Sequence, residues 1–93
     1  MMICKYLLEF VGQQDVNMPQ ISKILSIQLQ NGKLVMWAET ELRNHAEYTR
    51  MITAYMTGEQ AYVEPFGRYI ATIIQPNGLV WHFYDTSEYA FTN

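Results

Sequence analysis

The dipeptide Asn31-Gly32, at the centre of K-I-L-S-I-Q-L-Q-N-G-K-L-V-M-W-A (Lys23 to Ala38), constrains the fold more than any other feature of the chain. Asn-Gly accepts positive φ at both central positions of a type I′ turn, the loop that matches the twist of a two-stranded hairpin. Taking these two residues as the loop fixes a register. Gln30 faces Lys33, Leu29 faces Leu34, Gln28 faces Val35, Ile27 faces Met36 and Leu25 faces Ala38. Leu25, Ile27, Leu29, Leu34, Met36 and Ala38 then share one face. Ile24, Ser26, Gln28, Gln30, Lys33, Val35, Trp37 and Glu39 share the other. A slip of one residue would scatter the apolar set, so pattern and turn agree on one pairing. The hairpin decides the fold class and is silent on the function.

The rest of the chain punctuates in the same way. Ile3 to Phe10 alternates, with Cys4, Tyr6, Leu8 and Phe10 on one side, and predicts a first strand. Val11 to Gln20 reads as a polar connection with a short extended piece around Val16. Thr40 to Glu47 reads as a loop or one helical turn. Tyr48 to Thr57, rich in Thr, Tyr and Ile and closed by Gly58, reads as a strand. Glu59 to Gly67 is a second irregular link.

Arg68 to Tyr84 predicts a second hairpin. Pro76 cannot donate a backbone N–H, so Pro76-Asn77-Gly78 suits a three-residue loop with Gly78 left-handed. Gln75 then faces Leu79, Ile74 faces Val80, and Ile73 faces Trp81. Both faces of this hairpin are apolar, which predicts a central position or cover on both sides. Residues 86–93 read as a tail, with Tyr89 and Phe91 as possible docking residues. The expected architecture is a single all-β domain over residues 1–93, a small antiparallel sandwich or partly open barrel of about six strands. An edge strand remains in such a fold and invites pairing between subunits, so a homo-oligomer is expected.

Composition narrows the function classes. The chain has 93 residues, a net charge of −3 and six Lys or Arg, with no basic run. Nucleic-acid backbone binding needs clustered cations and is disfavoured. The single cysteine, Cys4, cannot close an internal disulfide, fits a reducing compartment and reads as a small buried hydrophobe. No secretory leader is evident, and no apolar run approaches the roughly 20 residues of a membrane-spanning helix. The expectation is a soluble, cytoplasmic protein. Seven Tyr, four Phe and two Trp are generous for so small a surface, so some aromatics should face solvent or a partner.

The run M-P-Q-I-S-K-I-L-S-I-Q-L-Q-N-G-K-L-V-M-W-A, Met18 to Ala38, resembles the signature of short uncharacterised proteins encoded by tailed bacteriophages and prophages. That signature is M-P-x-x-x-K-I-L-S-x-Q-x-Q-N-G followed by a short strand with Trp-Ala. The opening K-Y-x-L, Lys5 to Leu8, is similar, as are elements near Tyr69, Ile70, Thr72, Val80, His82 and Tyr84. The resemblance covers most of residues 3–85. The chain departs from the pattern between Glu39 and Tyr48, and its tail after Asp85 is extended. The resemblance implies a non-enzymatic accessory protein acting in an infected bacterium. Such a protein would inhibit a host defence component by occupying its surface, or would act as an oligomeric sponge for a nucleotide signal.

The residues themselves offer little chemistry. No phosphate loop, nucleophile motif or zinc-ligand spacing is present. His45 with Glu41 and Glu47 lacks the further ligands a metal site needs. His82 faces Thr72, and a proton-transfer role would require a convergent acid such as Asp85 or Glu64. Arg43, Arg50 and Arg68 ordinarily pair with acids. They could instead hold the phosphates of a small anionic ligand, with Trp37, Tyr55 or Trp81 stacking on its base. Trp37, ringed by Ser26, Gln28 and Gln30, is a candidate contact hot spot. The binding candidates are therefore Trp37, Gln28, Gln30, Arg50, Tyr55, Arg68 and Trp81, with no catalytic residue, metal or cofactor. The expected partner is a host bacterial protein or a small nucleotide. An enzyme acting on a nucleotide and a virion assembly factor are the remaining readings.

Overall fold

The computed structural model describes residues 1–41, 46–62 and 67–87. Within them the chain forms seven strands: β1 (Met2–Leu7), β2 (Gln13–Pro19), β3 (Ser22–Gln30), β4 (Lys33–Thr40), β5 (Glu47–Met56), β6 (Arg68–Ile74) and β7 (Val80–Asp85). They build two antiparallel sheets of order β1-β4-β3 and β2-β5-β7-β6, which are not closed into a barrel. Each predicted hairpin lies wholly within one sheet, and the two hairpins belong to different sheets.

Both turns have the conformations that their residues predict. Asn31 and Gly32 sit at φ 51° and 77°, and Gln30 pairs with Lys33. Gly78 sits at φ 91°, its N–H donates to the Gln75 carbonyl at 2.8 Å, and Ile74 pairs with Val80. Side chains at alternate positions then fill the space between the sheets. Ile27, Leu34, Met36 and Ala38 from one sheet meet Val16, Met18, Ile52, Ala54, Ile73 and Phe83 from the other. Leu8, just after β1, closes one end, and Tyr6, Phe10 and Trp81 pack against the cluster.

Four features differ from the sequence reading. The first is β2, where the short extended piece around Val16 is a full seventh strand, Gln13–Pro19, within what read as a connection. It is an edge strand that buries only Val16 and Met18 and turns Gln13, Asp15 and Asn17 to solvent. Two apolar positions followed by a proline leave little alternation to read. The Gln14 side chain anchors its start by bonding both the N–H and the carbonyl of Glu9, at 3.0 and 2.8 Å.

The second is the register beyond Ile27. Ile24, not Leu25, pairs with Ala38, because a β-bulge between Ile24 and Ser26 inserts one residue. The bulge returns Ile24 to the core side and leaves Leu25 42% exposed. The third is the second hairpin. β7 is central but β6 is an edge, and Tyr69 and Ile74 are exposed on its outer side. Its outer face is therefore open, and the apolar residues there are not core. The fourth is the first strand, which ends at Leu7, with Leu8 and Phe10 still directed inward from the connection.

The sheets approach most closely along one side, where the edge strands β3 and β6 run beside each other. β6 carries its own bulge, between Tyr69 and Ala71, with Ile70 as the inserted residue.

Candidate functional site

The seven candidate residues do not converge on one site. Trp37, Gln28 and Gln30 lie on the outer face of the three-stranded sheet, where Trp37 is half-buried between Lys5 and Ser26 on its neighbouring strands. Lys5 reaches across β4 and donates to Gln30 Oε1 at 3.4 Å, over the strand that carries Val35. Tyr55 lies on the outer face of the opposite sheet. Trp81 faces inward: its ring packs on Phe10 at 5.6 Å between centroids and its Nε1 donates to Gln75 at 2.7 Å. Arg50 and Arg68 come together elsewhere.

They do so in a cleft of about 750 Å³ between β3 and β6. Ser22, Lys23, Ile24 and Leu25 form one wall, Arg68, Tyr69 and Ile70 the other, and Arg50 and Asp85 the floor. Arg50 is buried and donates to Asp85 Oδ2 at 2.9 Å and to the Ser22 carbonyl at 2.8 Å. It thus ties β5 to a strand of the other sheet. The second carboxylate oxygen of Asp85 accepts from the Ser87 N–H at 3.1 Å and its hydroxyl at 2.6 Å. Arg50 and Asp85 thus neutralise each other on this floor. Arg68 pairs directly with Asp85 along the β6–β7 ladder but stays exposed, and forms no ion pair among the described residues. Of the aromatics considered as stacking partners, neither Trp37, Tyr55 nor Trp81 lines the cleft. Tyr69 does.

A second outward feature is the tyrosine face of the four-stranded sheet. Tyr69 packs edge-on to Tyr84 at 5.6 Å, and Tyr84 packs edge-on to Tyr55 at 6.3 Å. The Tyr55 hydroxyl accepts from the Tyr62 N–H at 3.1 Å, which places a fourth tyrosine, 73% exposed, beside the row. Hydroxyls and imidazole alternate across the same face. Thr57 Oγ1 lies 2.8 Å from His82 Nε2, His82 Nδ1 lies 3.0 Å from Thr72 Oγ1, and Thr72 Oγ1 lies 2.7 Å from the Tyr69 hydroxyl. His82 therefore has both ring nitrogens engaged by threonines. Asp85, three positions along β7, points to the opposite side and serves Arg50, so it is not the convergent acid His82 would need.

Arg43, His45 and Glu64 lie outside the described residues. Among the described residues no group of three His, Cys, Asp or Glu could hold a metal ion. There is no helix long and apolar enough to cross a membrane among them. Sequence reasoning missed Lys23, Tyr69 and Tyr84 as site residues, and considered Asp85 only as an acid for His82. The alternation in V-W-H-F-Y-D carries part of the signal, because it puts His82 and Tyr84 on one face and Phe83 and Asp85 on the other.

No curated protein and no solved structure matches the chain. A family model does, across nearly all of it: over residues 1–91 the chain belongs to the family described as a domain of unknown function, DUF7352.

Proposed function

We propose that this is a non-enzymatic accessory protein of tailed phages and prophages. It binds a host bacterial protein, a component of host defence, in the cytoplasm of the infected cell and blocks it by covering its surface. The phage setting rests on the resemblance carried by Met18 to Ala38. The contact surface is the tyrosine face.

The observation that supports the binding reading is the fixed row Tyr69–Tyr84–Tyr55 with Tyr62 beside it. Tyrosine offers a large amphipathic contact area at low conformational cost, since only two side-chain torsions are frozen on docking. Here the rings already brace one another, and the hydroxyl of Tyr69 is held through Thr72 and His82. A surface ordered in advance loses less entropy when a partner arrives. Tyrosine is also among the residues that dominate interface energetics.

A second copy of the chain is the proposed partner of the β1 edge. The other three edges are blunted. β3 and β6 carry bulges and lie against each other, and β2 ends in Pro19 and turns Asp15 outward. β1 has neither bulge nor proline, and Met2, Ile3 and Leu7 are exposed along it. Such an edge is a template for strand addition.

The test uses the tagged full chain as bait in bacterial lysate, with Tyr55→Ala/Tyr62→Ala and Lys23→Gln/Arg68→Gln as comparison baits. Stoichiometric retention of one host protein, lost only with the tyrosine variant while its melting temperature holds, is the expected result. Retention that survives the tyrosine variant removes this face from the contact. Retention of no protein by any bait overturns the inhibitor reading.

A further inference from the structure

We infer that the cleft between β3 and β6 is a binding site for a small phosphorylated molecule of nucleotide size, sharing Tyr69 with the tyrosine face. Its phosphate is held by Lys23 and Arg68, and its organic part lies along Leu25, Ile70 and Tyr69.

Charge is the first argument. The chain is acidic overall, with nine Asp or Glu against six Lys or Arg, yet Lys23, Arg50 and Arg68 all line this one cleft, and among the described residues Asp85 is the only acid in its lining. Asp85 is committed to Arg50 and Ser87. Glu39 sits opposite Lys23 on the β3–β4 ladder, but the two form no ion pair among the described residues. Lys23 and Arg68 are therefore exposed cations flanking a neutralised floor, on opposite walls of one cavity. A phosphate monoester supplies two negative charges and several acceptor oxygens, and Arg in particular meets such oxygens with a planar two-pronged donor set.

Shape is the second argument. Both bulges of the fold fall in this lining, Leu25 from one sheet and Ile70 from the other. Each inserts one residue into an edge strand and re-aims the side chains around it. Two unrelated strands are thus distorted at the same place. The result is a cavity of about 750 Å³, within the roughly 300–1,000 Å³ of ordinary small-molecule sites. Its apolar walls come from the two inserted residues and from Tyr69, whose ring is steadied by Tyr84.

The floor explains why the site would hold its form without a ligand. Arg50 joins β5, β7 and the start of β3 through Asp85 and the Ser22 carbonyl. The wall residue Lys23 follows Ser22 directly, so the buried pair fixes the backbone from which that cation extends. The ligand's phosphate then meets preorganised walls and a floor that carries no free negative charge.

The test is isothermal titration of the full chain with 5′-AMP and 5′-GMP, with adenosine and guanosine as uncharged controls and citrate as a non-phosphate anion. Lys23→Gln, Arg68→Gln and the double variant are titrated in parallel. Both residues are exposed, so the variants should melt with the parent. Saturable binding of at least one nucleotide, weakened at least tenfold in the double variant and weaker at high salt, is the expected result. Three outcomes overturn the proposal: no saturable binding of either nucleotide at millimolar concentration, nucleosides binding as tightly as their monophosphates, or nucleotide affinity unchanged in the double variant. Citrate binding with equal affinity overturns the phosphate assignment. The tyrosine variant Tyr55→Ala/Tyr62→Ala should bind nucleotide as the parent does, which separates this site from the proposed host-protein surface.

Discussion

The Arg50 guanidinium and the Asp85 carboxylate meet at 2.9 Å with side chains only 6% and 5% exposed. They are 35 positions apart in sequence and lie on neighbouring strands of one sheet. Removing one partner of a buried pair leaves an uncompensated charge, at a cost of about 3–5 kcal/mol. Asp85→Ala should lose that much in urea denaturation. The double variant Arg50→Met/Asp85→Leu should be destabilised by much less than the sum of the single changes. Additive losses would show that the two side chains are not energetically coupled.

Gly32 adopts φ 77° in open space, with nothing within 4 Å of where a Cβ would stand. Gly32→Ala is therefore a test of backbone conformation alone. It should destabilise the protein by about 1 kcal/mol, which lowers the melting temperature of a domain this size by roughly 4–8 °C. An unchanged melting temperature would mean that the turn is not fixed in the type I′ form.

Tyr62 is 73% exposed, so Tyr62→Ala should leave the urea midpoint within the roughly 0.5 kcal/mol scatter of surface substitutions. If it is a contact hot spot, the same change should weaken host-protein binding by about 2 kcal/mol or more. Surface plasmon resonance on the captured partner would measure this, and an affinity loss below threefold would place Tyr62 outside the contact.

The β1 edge should respond to charge. Ile3→Lys and Leu7→Lys place cations where strand addition would otherwise bury apolar side chains. Sedimentation equilibrium should show at least a tenfold weaker self-association than in the parent, with the far-ultraviolet circular dichroism unchanged. A parent that is monomeric at high concentration would remove the second-copy proposal.

Tyr6 gives a pH dependence of defined sign. Burial first, then the proximity of Cys4 and Glu47, raises its pKa above the ordinary 10.0. The folded state thus holds this proton more tightly than the unfolded chain does. Its contribution is fully present below pH 10 and is lost as pH climbs through the raised folded value. Thermal unfolding should show stability falling above pH 10, and Tyr6→Phe should make that fall shallower. An identical alkaline profile in the variant would exclude Tyr6 as its source.

The turns were the most legible part of the chain, because Asn31-Gly32 and Pro76-Asn77-Gly78 encode local backbone angles and nothing else. They carried the register of both hairpins next to the loop. Leu25 escaped, because a bulge leaves the apolar alternation intact on paper while shifting it by one residue in space. β2 escaped because an edge strand buries too few side chains to show a period of two. The sites were harder still. Trp37 and Tyr55 were alternative stacking partners for one ligand, but they occupy opposite outer faces, and nothing local in sequence states which sheet a strand joins. Arg50 reads as the partner of some acid, and nothing local in sequence names Asp85, 35 positions away, as that acid. Tyr69 was seen only as part of a motif, since its placement at the rim of a cleft depends on the pairing of two distant edges.

The position of β2 also ties the two sheets together along the chain. Its sequence neighbours β1 and β3 belong to the other sheet, and its only hydrogen-bonding partner is β5. The strands of the three-stranded sheet, β1, β3 and β4, all lie before residue 41, whereas β2 has no partner without residues 47–56. A chain cut between Thr40 and Glu47 would therefore keep every strand of one sheet and leave Val16 and Met18 on a strand with nothing to pair with.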